Sequence, residues 1–194
     1  ARLDLRVLCG KTGSGKSRLL AALATAGAQV LDLEALACHR GSVLGSLPGT
    51  GQPSQKHFET LLWDALRRLD PARPVFVESE SRTIGRLRVP EALLLRMRAA
   101  RCLVLELPIA ARVDLLMQDY AHLADDIEGF CARLEALREL RGKPVVEGWQ
   151  AAARAGRVRA VVQELLVEHY DPIYLRSMAR NFADFDSAPV LAPA

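Results

Sequence analysis

The segment Gly10-Lys11-Thr12-Gly13-Ser14-Gly15-Lys16-Ser17 constrains the fold of this chain more than any other stretch. It matches the pattern G-x-x-x-x-G-K-[ST], the Walker A or P-loop motif, at every fixed position, and that motif holds phosphate groups between a strand and a helix. Residues 3–9 form an apolar run that predicts a buried strand, and residues 17–26 are rich in Leu and Ala, which predicts a helix. We therefore predict a phosphate-binding loop. The alternative is a glycine-rich turn without a ligand.

The residues of this loop have separate physical roles. Glycine allows the tight backbone turns that point N–H groups inward, and the helix that follows adds the positive end of its dipole. Lys16 supplies a point charge for the terminal phosphates, and the Ser17 hydroxyl can ligate Mg2+. We predict that every residue from Gly10 to Ser17 contributes to phosphate binding and that Mg2+ is a cofactor.

Strands and helices alternate through the first half of the chain. After the loop and its helix, apolar runs predict strands at residues 28–33, 75–77 and 102–107. Apolar residues at helical spacing predict helices at 56–69 and 90–100. A phosphate loop after the first strand, followed by this alternation, predicts a three-layer P-loop NTPase-like α/β fold with a mostly parallel sheet.

The second half of the chain has a different pattern. Residues 108–170 predict several helices and little strand, so we expect a helical, lid-like portion there within a single domain over residues 1–194. The Tyr170-Asp171-Pro172 segment predicts a helix stop. Residues 34–55 contain several Gly and Pro and predict a long irregular segment, which in a compact domain is usually functional. Residues 187–194 predict an edge strand or a frayed tail.

Composition limits the class of protein. The net charge of +3 permits an RNA partner without requiring one, and 22 of the 26 basic residues are Arg because only 4 are Lys (26 − 4 = 22). The four Cys residues are far apart and form no C-x-x-C pair, which favours a reducing cytoplasm over a zinc ribbon or disulfide scaffold. No apolar run reaches the length of a membrane span, so we expect a cytoplasmic protein with no membrane partner.

Charged residues follow the predicted strands at the edge where ligands bind in open α/β sheets. Glu78 ends the third strand, where P-loop proteins place an acid that holds Mg2+ or its water, and Glu80 and Arg82 follow closely. We interpret these three residues as part of a site and leave open which acid faces the metal. A solvated turn is the alternative.

Other candidates lie in the irregular segment and in the later helices. His39 can act as an acid or base and Arg40 can contact a phosphate, with a packed His and a surface Arg as the equal alternative. Lys56 opens a helix and either meets an anion or is exposed. Arg112 lies early in the helix after the fourth strand, where P-loop kinases often carry a lid cation, and Asp171 is a further candidate in a segment otherwise interpreted as packing.

With these pieces in view, the chain resembles the P-loop domain of bacterial tRNA 2-selenouridine synthase. The resemblance rests on GKTGSGKS at 10–17, DLExLAxHRGS at 32–42, QPSQKxFE at 52–59, VFVESESR at 75–82 and YDPxY at 170–174. The first motif is common to a very large superfamily, whereas the second and fourth together are far more specific. They favour a functional role for His39, Arg40, Ser42, Glu78, Glu80 and Arg82.

The resemblance implies an activity and a larger enzyme. In that family a rhodanese-like domain with a catalytic Cys precedes this domain, so the resemblance implies that this chain is the C-terminal part of a two-domain transferase. The family acts on 2-thiouridine at the wobble position of tRNA, first attaching geranyl from geranyl diphosphate to sulfur and then exchanging S-geranyl for selenium from selenophosphate. The resemblance thus implies that the loop holds phosphate-bearing donors, with ATP or GTP the less favoured ligands.

Two other functions fit the motifs. The first is a small-molecule kinase or nucleotide hydrolase with Glu78 on Mg2+ and Arg112 as lid cation, which predicts an ATP-dependent product and an adenine pocket. The second is a nucleotide-gated tRNA-binding module, which predicts salt-sensitive tRNA affinity and no transfer by this chain alone.

Overall fold

A computed structural model of the chain describes residues 3–41, 51–120 and 126–192. The chain divides into two compact units. The sheet unit consists of Ala1–Gly10, Gly15–Glu106 and Ser177–Ala194, and the helical unit consists of Lys11–Ser14 and Leu107–Arg176. Residues 11–14 of the phosphate loop therefore group with the later helices, although they are close in sequence to the first strand.

The sheet unit is built on a parallel sheet with the strand order β2-β3-β1-β6-β7. Its strands are β1 (Asp4–Gly10), β2 (Gln29–Leu31), β3 (Pro74–Glu78), β6 (Arg101–Leu105) and β7 (Val190–Leu191). All four pairings are parallel, and they set Val7 opposite Val77 on one side and Cys102 on the other. The predicted strands are confirmed, and the chain end forms the edge strand rather than a frayed tail.

The central strand explains the layering of the sheet unit. Leu5, Val7, Leu8 and Cys9 of β1 are all buried, so side chains on both faces of this strand are covered. A parallel strand that is buried on both faces requires helices above and below the sheet. The predicted three-layer α/β fold is thus confirmed.

The described residues of the sheet unit include the helices α1 (Lys16–Thr25), α2 (Leu33–Ala37), α3 (Gln55–Arg67) and α4 (Glu91–Arg98). The prediction that residues 34–55 are irregular is wrong at its start, because α2 occupies the first positions. Asp32 caps this short helix, its Oδ1 accepting a hydrogen bond from the Ala35 N–H at 2.8 Å. Cys38, with φ of +49°, ends it in a left-handed conformation. Residues 42–50 lie outside the described residues.

A two-stranded hairpin follows β3, with β4 (Thr83–Ile84) pairing antiparallel to β5 (Leu87–Arg88). Two glutamines hold it. The Gln52 side chain donates to the carbonyls of Ala37 and Ile84 at 3.2 and 2.9 Å and accepts from the Arg86 N–H at 2.9 Å. Gln55 pairs in both directions with the backbone of Arg88. The glutamines of the QPSQ motif thus act as substitute strand partners for the hairpin.

We expect Gln52→Ala to lower the free energy of unfolding by about 1–2 kcal/mol, because backbone groups of three residues lose their partner at one half-buried position. Gln55→Ala removes two similar bonds at a more exposed position and should cost about half as much. Urea titration of both variants measures the difference. Equal stability of Gln52→Ala and the parent chain would contradict this role.

The helical unit contains α5 (Ile109–Asp119), α6 (Ile127–Glu135), α7 (Arg138–Arg141), α8 (Lys143–Arg154), α9 (Val158–Glu164), a π-helical turn (Leu165–Tyr170) and the start of α10 (Asp171–Asn181). Its core includes Phe130, Leu134 and Trp149, and the Trp149 indole donates to Glu164 at 2.8 Å. The predicted helix stop at Tyr170 is wrong, because the chain continues directly from the π turn into α10. Pro172 is the second residue of α10, and because it has no N–H it donates no backbone hydrogen bond to the preceding turn.

Among the described residues, none of the helices has the combination of length and apolar character that a membrane span requires.

Candidate phosphate and metal site

The phosphate loop has the backbone conformation that its glycines allow. Gly13 and Gly15 have φ of +78° and +86°, values that other residues adopt only with strain. The Ser14 N–H donates to the Lys11 carbonyl at 3.0 Å, which closes the turn. Gly15 begins α1 without a side-chain cap, and the first turn of α1 contains no acidic residue. A helix N-terminus of this kind leaves backbone N–H groups for an anion.

Three carboxylates of the sheet unit converge beside the end of the loop. Glu34 lies in the first turn of α2, Glu78 is the last residue of β3, and Glu80 follows two residues later. One oxygen from each lies within 4.8 Å of the others. They meet because parallel strands β2 and β3 are neighbours and both end at this edge of the sheet.

The carboxylates repel one another in a partly dry environment. Burial raises the pKa of Glu34 to about 8, with a contribution from the nearby Glu78 charge, while Lys16 acts in the opposite direction. Burial also raises the pKa of Glu78, and burial together with the charges of Glu34 and Glu78 raises the pKa of Glu80 well above its ordinary value. A second positive charge beside Lys16 would relieve this repulsion.

The residues at this cluster fit a hard divalent cation. Oxygen ligands from carboxylates and hydroxyls are those that Mg2+ prefers. Glu78 is 3% exposed, and within the described part of the chain its buried Oε1 has no hydrogen-bond partner, so this oxygen is available as a ligand. The Ser17 hydroxyl donates to Glu34 Oε2 at 3.5 Å. Glu34 is absent from the residues predicted for this site, although an acid just after the second strand was a usable signal.

Lys16 belongs to both parts of the site. Its ammonium donates to the Gly10 carbonyl at 2.7 Å, and its charge lowers the pKa of each of the three clustered carboxylates against the effect of burial. The lysine that the motif assigns to phosphate is therefore close to the candidate metal ligands.

The segment after α2 closes against the carboxylates. A Cβ on Gly41 would lie 2.8 Å from Glu34 Oε1 and 3.3 Å from Glu80 Oε2, so a larger residue here would displace the acids. The charge of Arg40 acts on Glu34. His39 is buried, its Nδ1 has no hydrogen-bond partner among the residues that the structure describes, and burial lowers its pKa, which favours the neutral ring. The candidate Ser42 lies outside the described residues.

Lys56 and Arg82 are exposed in the sheet unit. Lys56 lies in the first turn of α3, and Arg82 precedes β4, where its carbonyl accepts from the Val89 N–H at 3.0 Å. Within the part of the chain that the structure describes, neither side chain forms an ion pair with a carboxylate. Their exposure suits contact with a second molecule as well as it suits a solvated surface.

Arg112 and Asp171 meet inside the helical unit. The Arg112 guanidinium donates from Nη1 and Nη2 to the two Asp171 oxygens at 2.8 and 2.6 Å, and from Nε to the Thr12 carbonyl at 2.9 Å. Arg112 is 3% exposed. Its charge is thus already neutralised by the half-buried Asp171 carboxylate, which differs from the free lid cation that the kinase hypothesis requires.

A parallel sheet whose central strand leads through a glycine-rich turn into a helix defines a P-loop α/β domain. The model of the tRNA 2-selenouridine synthase AAA-domain family matches residues 3–139. The chain belongs to this family.

Curated relatives agree with this assignment. The chain is 33% identical to a tRNA 2-selenouridine synthase of Alcanivorax borkumensis over 93% of this chain and 56% of the relative. It is 43% identical to a protein of the same name from Aeromonas salmonicida over 90% of this chain and 53% of the relative. The chain therefore spans about half the length of these relatives, which are named as synthases and hence as enzymes.

Two solved structures are also similar. TT1252 from Thermus thermophilus matches with a TM-score of 0.38 and 21% identity, covering 85% of this chain and 99% of that one. A gluconokinase from Sinorhizobium meliloti matches with a TM-score of 0.33 and 17% identity, covering 87% and 100%. At these scores the assignment rests on the family model and the curated relatives.

Proposed function

We propose that this chain is the P-loop part of a transferase that converts 2-thiouridine to 2-selenouridine in tRNA through an S-geranyl intermediate. In this proposal the loop Gly10–Ser17 binds the diphosphate of geranyl diphosphate, the phosphate of selenophosphate, or both. In this proposal the rhodanese-like domain that the family resemblance implies precedes this chain and accounts for length that the relatives have beyond it.

The observation that carries this proposal is the position of Lys16, which donates to the Gly10 carbonyl and whose charge acts on all three carboxylates. A phosphate-bearing ligand needs positive charge from Lys16 and N–H groups from the loop and α1. Ser17, Glu78 and the adjacent acids Glu34 and Glu80 would hold Mg2+. A bound Mg2+ would neutralise charge on the phosphate oxygens. Arg40 and Arg82 are the arginines that we assign to further phosphate contacts, on the donor or on the tRNA backbone.

The chemistry of the first step fits this set of groups. The sulfur of 2-thiouridine forms a bond to the allylic carbon of geranyl diphosphate while the bond from that carbon to the diphosphate oxygen breaks. Negative charge accumulates on the departing diphosphate. Lys16 and the N–H groups of the loop therefore stabilise the transition state more than the bound donor. In the second step selenophosphate presents another phosphate that the same groups can hold.

A small-molecule kinase or nucleotide hydrolase is the second candidate function, and the phosphate loop itself favours it. The contacts of Arg112 disfavour its role as the lid cation of that mechanism, because its guanidinium already donates to the Asp171 carboxylate and to the Thr12 carbonyl. A nucleotide-gated tRNA-binding module is the third. Both alternatives predict tight ATP or GTP binding, whereas our proposal predicts preference for geranyl diphosphate.

Calorimetry with geranyl diphosphate, inorganic diphosphate, ATP and GTP, each with Mg2+, tests the proposal. We expect geranyl diphosphate to bind most tightly and Lys16→Ala to weaken it about ten- to a hundredfold, because a charge-assisted contact is lost. Lys143→Ala is the matched control, since it removes an exposed lysine that pairs with Glu147 on α8. Tight binding of ATP together with weak binding of geranyl diphosphate would contradict the proposal and favour the nucleotide-dependent alternatives.

A further inference from the structure

The Arg112–Asp171 pair lies in the helical unit together with residues 11–14 of the phosphate loop. Two features set it apart from the other ion pairs of this unit. Arg138, Arg154 and Arg159 pair with carboxylates at exposed or half-buried positions, whereas the Arg112 and Asp171 side chains are 4% and 16% exposed. In addition, the Arg112 Nε–H reaches a backbone carbonyl of the phosphate loop, which links the pair to a candidate binding element.

A buried ion pair is weak evidence for stability, because taking both charges out of water costs about as much as their attraction returns. The main effect of this ion pair is to fix the orientation of the Arg112 guanidinium. The guanidinium is planar, so two N–H groups on one carboxylate fix the direction of the third. Asp171 therefore aims the Arg112 Nε–H at the Thr12 carbonyl.

The Thr12 carbonyl controls an N–H group of the loop. A peptide bond is planar and trans, so the carbonyl of Thr12 and the N–H of Gly13 point in opposite directions. Holding that carbonyl against Arg112 turns the Gly13 N–H away from α5. Gly13 itself is pressed against α5, since a Cβ there would lie 2.9 Å from the Arg112 carbonyl oxygen and 3.0 Å from Leu116 Cγ.

The position of Asp171 is itself unusual. It follows directly after the π-helical turn Leu165–Tyr170, and its backbone has returned to the α conformation. An i→i+5 turn rotates the residues after it relative to a regular α-helix, and such turns occur frequently at functional sites. The π turn thus determines which side of the helix Asp171 occupies.

We propose that Arg112 and Asp171 are positioning residues that hold the peptide between Thr12 and Gly13 in the orientation required for phosphate binding. The inference rests on the proposed function in one respect, namely that the loop binds a phosphate group. Neither side chain contacts the ligand in this mechanism. Arg112 acts through the loop backbone, and Asp171 acts through Arg112.

Amide hydrogen exchange on the ligand-free chain tests the positioning without any ligand. We expect Arg112→Lys and Asp171→Asn to speed exchange of the Gly13 and Ser14 amides about ten- to a hundredfold, because charge-assisted bonds to the loop are lost. Asp114→Asn is the matched control. It removes an exposed ion pair to Arg159 from the same helix and should leave these two amides unchanged.

The double variant Arg112→Met/Asp171→Leu separates positioning from stability. Apolar side chains of similar size often replace a buried ion pair without loss of stability, so we expect unfolding to stay close to that of the parent chain. The loop amides of the double variant should exchange faster than those of the parent chain. Inorganic diphosphate with Mg2+ should bind the double variant at least about tenfold more weakly than it binds the parent chain. Parent-like exchange and affinity in a stable double variant would overturn the proposal.

The two proposals fail in different ways. If the parent chain binds neither inorganic diphosphate nor geranyl diphosphate, the proposed function fails, while amide exchange still decides whether Arg112 and Asp171 hold the loop. If diphosphate binds and depends on Lys16 but the single variants leave exchange and affinity unchanged, the positioning role fails and the proposed function stands.

Discussion

Gly13→Ala is expected to lower the free energy of unfolding by about 3 kcal/mol and to weaken diphosphate binding more than tenfold. Two costs add. A residue with a Cβ is strained by about 1–2 kcal/mol at the φ of +78° observed for Gly13. The new methyl group also meets the Arg112 carbonyl oxygen at 2.9 Å and Leu116 Cγ at 3.0 Å, and backbone atoms relieve such overlap only by moving. Denaturant titration and calorimetry measure the two effects.

Gly156→Ala is the matched control for this prediction. Gly156 lies in the same unit with φ of +76°, but a Cβ there would meet no described residue within 4 Å. Only the backbone strain applies, so we expect a loss of about 1 kcal/mol and unchanged diphosphate binding. Equal losses in the two variants would show that contact between Gly13 and α5 has no energetic weight.

The stability of the metal-free chain is expected to fall by on the order of 2–3 kcal/mol between about pH 6.5 and pH 8.5. Burial and mutual repulsion raise the pKa of Glu34 to about 8 and raise the pKa of Glu80 well above its ordinary value. The folded state therefore holds protons that the unfolded chain has already released, and its advantage is lost as pH rises through the folded values.

The buried histidines contribute little to the change in stability between about pH 6.5 and pH 8.5. Burial lowers the pKa of His39 and His169 below the ordinary value of 6.5, so their contribution to stability grows with pH only below about that value. Thermal or urea unfolding at several pH values within the window, with chelator and then with Mg2+, gives the measurement. We expect Mg2+ to flatten the dependence, because the cation stabilises the ionised carboxylates.

Two variants identify the source of this pH dependence. Glu34→Gln should reduce the slope and stabilise the metal-free chain at the upper end of the window, since it removes one of three repelling charges. Glu139→Gln changes an exposed glutamate of α7 and should leave the slope as it is. Two results would contradict the clustered carboxylates as the cause of this pH dependence. One is a Glu34→Gln variant whose unfolding free energy changes with pH as in the parent chain, and the other is a pH dependence that Mg2+ leaves unchanged.

Most of the sheet unit was predictable from the sequence because its signals are local. A glycine-rich loop between an apolar run and a Leu/Ala-rich segment specifies β1, the loop and α1 with little help from the rest of the chain. The strands are apolar on both faces, since helices cover the sheet on both sides, and such strands are visible as continuous apolar runs.

The candidate site was predictable only in part. Glu78 and Glu80 follow a strand with a clear apolar pattern, whereas Glu34 lies in a helix of five residues that has too few positions to show a period. The hairpin after β3 was missed for a similar reason. Its strands have two residues each, and their partners are the side chains of Gln52 and Gln55, which are more than thirty residues away along the chain.

Arg112 and Asp171 show a different limit. The sequence predicts each of them as a candidate from its own position, but the bond between them joins residues that are 59 positions apart. No local pattern pairs one Arg among many with one Asp, and the helix stop predicted from Tyr170-Asp171-Pro172 obscured the π turn that places Asp171.

The order of strands also has a consequence for synthesis. β6 pairs with β1, which is made before it, and with β7, whose first residue comes 85 positions after the end of β6 (190 − 105 = 85). At translation rates of roughly 5–20 residues per second, β6 waits about 4–17 s for its second neighbour. During that interval one edge of β6 has no partner strand for its N–H and carbonyl groups, so a nascent chain is open to pairing with another copy until β7 has left the ribosome.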